Sequence, residues 1–122
     1  KWDFVILQEM SNGPISSKKS FLENAGKLCE QIRENGAKPV FYATWAYQRE
    51  GKKLETFGMD YDEMYQQMYE AYHQAAEGNH ADVGKKFYEL SDKEDLYADD
   101  GCHPNEKGSY IAAEVIAEVV LN

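Results

Sequence analysis

At 122 residues the chain is at most one domain, long enough to bury a core and short for an α/β enzyme. Its 22 acidic side chains outnumber 13 basic ones, for a formal charge of −9, which argues against nucleic acid or an anionic membrane surface as a partner. No window approaches the roughly 20 apolar residues of a membrane helix. Nine Tyr, five Phe and two Trp imply an aromatic-rich core or ligand groove. The sequence begins Lys1-Trp2-Asp3, without an initiator Met or a signal-like run; the expectation is that the natural start lies upstream, and no compartment is named.

Trp2 to Leu7 is a nearly unbroken apolar run, which predicts a strand covered on both faces, hence an inner strand of a parallel sheet. Gln8 to Pro14 follow as a turn. A helix opens within Ser16 to Ser20, with Ser20 and Glu23 spaced as a capping box. Its apolar face is Phe21, Leu22, Ala25, Leu28, Cys29 and Ile32, and Asn35-Gly36 ends it. Cys29 on that stripe reads as a buried free thiol; a bridge to Cys102 is not favoured. Pro39 to Trp45 is a second buried strand, so strand, helix and strand form a parallel crossover.

A polar loop from Ala46 to Met59 leaves the carboxyl end of that strand, where parallel sheets bind ligands. Asp60 and Glu63 cap a second helix with the stripe Tyr61, Met64, Tyr65, Met68, Tyr69, Tyr72 and Ala76. That period marks core rather than a cofactor box, and His73 within it reads as structural. His80 to Gly84 is a short third strand, Lys85 to Leu90 a helical stretch, and Asn105 to Leu121 a last helix with Ala112, Val115, Ile116, Val119 and Val120 inward.

Between the last two helices lies Asp99-Asp100-Gly101-Cys102-His103-Pro104. An Asp and a His three residues apart in a turn can face one another, the carboxylate accepting the Nδ1 proton and leaving Nε2 as a base. Asp-Gly before Pro is also ordinary turn chemistry, with Asn105 capping the helix.

Asp100-Gly101-Cys102-His103 ahead of a helix resembles the final sequence block, Asp-x-x-His, of the SGNH/GDSL hydrolase superfamily. Asp3-Phe4-Val5-Ile6-Leu7-Gln8-Glu9-Met10-Ser11-Asn12-Gly13 is similar to its third block, with Met10 where Gly is usual and Gly13 where Asp is usual. The form looks like a divergent bacterial branch, and the resemblance runs from the first strand to the last helix. It implies a three-layer α/β sandwich with a parallel sheet, flavodoxin-like, and an ester hydrolase. His103 would be the base, Asp100 its orienting acid and Asn12 an oxyanion donor, with Gln8 or Ser11 as replacements in that role. Trp45, with Tyr47, is a candidate wall of a sugar- or acyl-binding cleft, or core. The implied substrate is a small-molecule ester, preferably an acetylated carbohydrate, with no metal and no organic cofactor.

The superfamily's Ser block and its second, Gly-bearing block do not occur in these 122 residues, nor does a Gly-x-Ser-x-Gly elbow. The expectation is that residues 1–122 are a single domain forming the C-terminal portion of a hydrolase whose sheet is incomplete at its N-terminus. An N-terminal segment of the same protein would bring the Ser, and this chain alone would be inactive. A bare edge on the first strand also invites pairing with other chains. Two rival readings stand beside this one: a non-catalytic α/β binding module, and a homodimer joined through that edge. His80, Asp99, Asp100, Cys102 and His103 show no spacing known for zinc or iron.

Overall fold

In a computed structural model that describes residues 1–122, the elements in chain order are β1 (Phe4–Leu7), α1 (Gly13–Ser16), α2 (Lys18–Glu34), β2 (Lys38–Ala43), α3 (Lys52–Phe57), α4 (Tyr61–Ala76), β3 (His80–Asp82), α5 (Val83–Leu90) and α6 (Glu106–Leu121). The three strands form one parallel sheet in the order β1-β2-β3. Phe4 to Leu7 pair with Lys38 to Phe41, and Phe41 to Ala43 pair with His80 to Asp82. β1, read as an inner strand, has a neighbour on one side only, and Trp2 and Ile6 are 76% and 43% exposed.

Alternation along β2 divides the core between two faces. Phe41 and Ala43 join Phe21, Ala25 and Cys29 of α2 and Met64, Met68 and Tyr72 of α4. On the other face Tyr42 packs against Val83 and Phe87 of α5, Leu96 and Tyr97, and Ile111 and Ala112 of α6. Helices therefore cover both faces, making the three-layer α/β sandwich that the resemblance implies around the parallel sheet that the apolar strands predict. Because β3 is in register with β2, His80 and Asp82 share the face of Phe41 and Ala43, toward α4.

The helix boundaries follow from local chemistry, with three departures from expectation. Ser20 does not cap α2: the helix begins at Lys18, directly after α1, so Ser20 lies in its first turn and accepts from Asn24 Nδ2 at 3.2 Å. The Ala46–Met59 segment is not all loop, because Leu54 is buried and anchors α3, which Gly58 ends in the left-handed region at φ +79°. The third strand stops at Asp82, and Val83 and Gly84 belong to α5. A Cβ on Gly84 would lie 2.2 Å from the Thr44 carbonyl oxygen, so glycine is what lets α5 start against the end of β2. Asp60 caps α4 as expected, its Oδ1 accepting from the Glu63 N–H at 2.9 Å. Cys29 and Cys102 are both free thiols.

Candidate active site

The Asp100–His103 turn stands at the carboxyl end of the sheet, held by its backbone. Gly101 takes the left-handed conformation at φ +68°, which a side chain would disfavour. Its carbonyl accepts from the Gln48 N–H at 2.9 Å, and the His103 carbonyl accepts from the Ala98 N–H at 2.8 Å. Trp45 donates its indole N–H to the Cys102 carbonyl at 2.8 Å while stacking on Phe87 at 4.4 Å. Tyr97 donates to the Ala46 carbonyl at 2.5 Å, tying the segment that enters the turn to the segment after β2. Asn105 then caps α6, its side-chain oxygen accepting from the Gly108 N–H at 2.9 Å.

Within this frame His103 Nδ1 lies 2.5 Å from Asp100 Oδ2. Asp100 Oδ1 accepts from the backbone N–H groups of Cys102 and His103, each at 2.9 Å. The His103 ring, then its backbone N–H and that of Cys102, hold the Asp100 carboxyl far below the usual carboxylate range. An ionised Asp100 fixes Nδ1 as the protonated nitrogen and leaves Nε2 with a lone pair. The His103 side chain is 76% exposed and Nε2 makes no hydrogen bond within the chain.

Asn12 and Asp100 line one cleft of about 490 Å³, together with Tyr47, Lys52, Lys53, Thr56 and Phe57. Asn12 Nδ2 donates to the Tyr47 hydroxyl at 3.1 Å, and Asn12 Oδ1 accepts from Ser16 Oγ at 2.8 Å. The two bonds orient the amide and leave one N–H of Nδ2 unspent. The Ser11 hydroxyl is hydrogen-bonded to the Tyr47 hydroxyl, and Ser11 sits at φ +39°. Gln8 faces elsewhere, lining a smaller cleft with Leu7, Phe21 and Phe41. Half-buried Trp45 supports the turn from beneath. The sequence reading missed α3 and hence the contribution of Lys52, Lys53, Thr56 and Phe57; the signal was Leu54 and Phe57 three apart between Gly51 and Gly58.

No protein-family model matches the sequence, and no curated protein does. Among solved structures the chain is similar to one described as "a putative SGNH hydrolase from Slackia heliotrinireducens". The TM-score is 0.89 at 44% identity, over 97% of this chain and 65% of that one.

Proposed function

The chain belongs to the SGNH hydrolase superfamily, and from that premise we propose that it carries the acid–base half of a serine esterase. The observation that carries the reading is the Asp100–His103 pair, oriented by three hydrogen bonds, with the His103 side chain exposed and Asp100 lining the cleft that holds Asn12. No serine is hydrogen-bonded to His103, and the Ser11 hydroxyl is bonded to Tyr47. We assign the nucleophile to sequence outside these 122 residues, which span 65% of the length of the similar structure, so the chain alone is inactive in this reading.

In the proposed reaction the serine oxygen bonds to the acyl carbon as its proton passes to His103 Nε2. The unspent Asn12 N–H meets the developing oxyanion. Collapse breaks the ester C–O bond, and His103 returns the proton to the departing alcohol. Water then repeats the sequence on the acyl-enzyme. A small acyl group on a carbohydrate suits a cleft that combines the rings of Tyr47 and Phe57 with the donors Lys52, Lys53 and Thr56.

The test is hydrolysis of p-nitrophenyl acetate and of an O-acetylated oligosaccharide by the parent protein. His103→Ala and Asp100→Asn are each expected to lower kcat by at least ~10²-fold. Unchanged turnover in both variants refutes the catalytic reading. The open edge of β1, with Ile6 exposed on it, favours a second reading, pairing of two copies along that edge. Sedimentation of this chain at several concentrations decides it: a monomer throughout removes the homodimer.

A further inference from the structure

Away from the Asp100–His103 turn, three metal-ligating side chains from two elements converge. His73 stands in the last turn of α4, and His80 and Asp82 stand on the same face of β3. His73 Nε2 is 2.8 Å and His80 Nδ1 is 2.9 Å from the same carboxylate oxygen, Asp82 Oδ1. All three ligand atoms lie within 4.8 Å of one another. The two imidazoles overlap at 3.7 Å, and Tyr69 stacks on the outer face of His73 at 3.9 Å.

We propose that His73, His80 and Asp82 form a binding site for a borderline divalent metal ion of the Zn²⁺ type, with a fourth position left to water. The donor set, two imidazoles and one carboxylate, is that of an open zinc site rather than of Ca²⁺ or Mg²⁺, which take oxygen ligands. The spacing suits it. Ligands about 2.0–2.1 Å from a tetrahedral ion lie about 3.3 Å apart, so the two short separations need only open by about half an ångström. That is within reach of side-chain rotation on an edge strand and a helix end.

A hydrogen-bonded His–Asp–His cluster explains less. His80 Nδ1 is buried and makes no hydrogen bond, although Asp82 Oδ1 is within reach; the oxygen is out of line for the ring nitrogen. A buried polar atom without a partner calls for an explanation, and a cation between the three ligands meets it. His73 Nε2 is hydrogen-bonded to Asp82 Oδ1; with His73 Nε2 and His80 Nδ1 unprotonated, the cluster would offer three electron pairs to one cation, in a chain of net charge −9. The side chains remain 22–26% exposed, enough for an ion to enter.

The test is titration of the chelator-stripped protein with ZnCl₂ by calorimetry and with Co²⁺ by visible absorption. One ion per chain is expected, with intense tetrahedral Co²⁺ d–d bands and no thiolate charge-transfer band. His80→Ala and Asp82→Asn should each weaken binding at least ~100-fold, as should His73→Gln, while His103→Ala leaves it unchanged. Circular dichroism of each variant separates a lost ligand from a lost fold. Absence of saturable binding, or binding abolished by His103→Ala or Cys102→Ser and retained in His80→Ala, overturns the proposal. None of these readouts depends on esterase activity.

Discussion

Trp45→Phe separates two roles for this side chain, cleft wall and anchor of the Asp100–His103 turn. Phenylalanine keeps a ring for the Phe87 stack but has no N–H for the Cys102 carbonyl, which accepts the indole at 2.8 Å. Losing that hydrogen bond costs about 0.5–1.5 kcal/mol. The missing half of a half-buried indole removes roughly another 1 kcal/mol of apolar burial. A global loss of about 1.5–2.5 kcal/mol is therefore expected in urea unfolding. The more telling effect is local. The Gln48 and Ala98 amides, which donate to the Gly101 and His103 carbonyls, report directly on the turn. If Trp45 anchors it, their hydrogen exchange accelerates about tenfold, as a local loss of ~1.4 kcal/mol requires. Under the proposed esterase reading, kcat then falls while KM holds. Unchanged exchange at these two amides, with a KM raised severalfold, would refute the anchor and return Trp45 to the substrate wall.

Gly84→Ala drives a Cβ to within 2.2 Å of the Thr44 carbonyl, and the overpacking outweighs the helix-propensity gain, for a net loss of roughly 1–3 kcal/mol. Gly26→Ala, with nothing within 4 Å of its Cβ in mid-α2, should instead gain about 0.5–1 kcal/mol by chemical denaturation. Asn12→Ala should lower kcat of the parent about 10²–10³-fold in steady-state assays, and a kcat within twofold of wild type removes Asn12 as the oxyanion donor. Carboxyl NMR titration should show Asp100 ionised well below the ordinary Asp value of about 3.9. Because its folded pKa is depressed, its contribution to stability is present above that value and is lost as pH falls toward the lower one. In His103→Ala the Asp100 midpoint should rise only part of the way, since the Cys102 and residue 103 backbone donors remain.

The layers were legible because periodicity reports burial. Phe21, Ala25, Cys29 and Ile32, spaced three and four apart, are the buried face of α2, and Met64, Met68 and Tyr72 do the same for α4. The Asp100–His103 contact was legible because three residues of turn hold both partners, so no long-range packing had to be known. The Ser20–Glu23 box failed for the opposite reason. Its spacing is right for a cap, but α1 already occupies the turn before it, and a cap needs a free helix end. Trp45 and the cleft lie between these cases, because both depend on where α3 and the turn come to rest against the end of β2. Leu54 and Phe57 alone are too short a pattern to outweigh a polar stretch.

The His73–His80–Asp82 group shows why composition hid what geometry assembles. Along the sequence His73 reads as part of an aromatic helix face, and His80 and Asp82 as polar positions of a weak strand. Three facts bring them together, each local and uninformative alone. The two-residue period of β3 puts His80 and Asp82 on one face, its register with Phe41 and Ala43 turns that face toward α4, and the helical period sets His73 one residue beyond Tyr72, the aromatic buried against Phe41. β3 is also an edge of the sheet, so the group is packed on one side and reachable by solvent on the other. The same topology that leaves these polar side chains out of the core thus gives them a shared, accessible point of convergence.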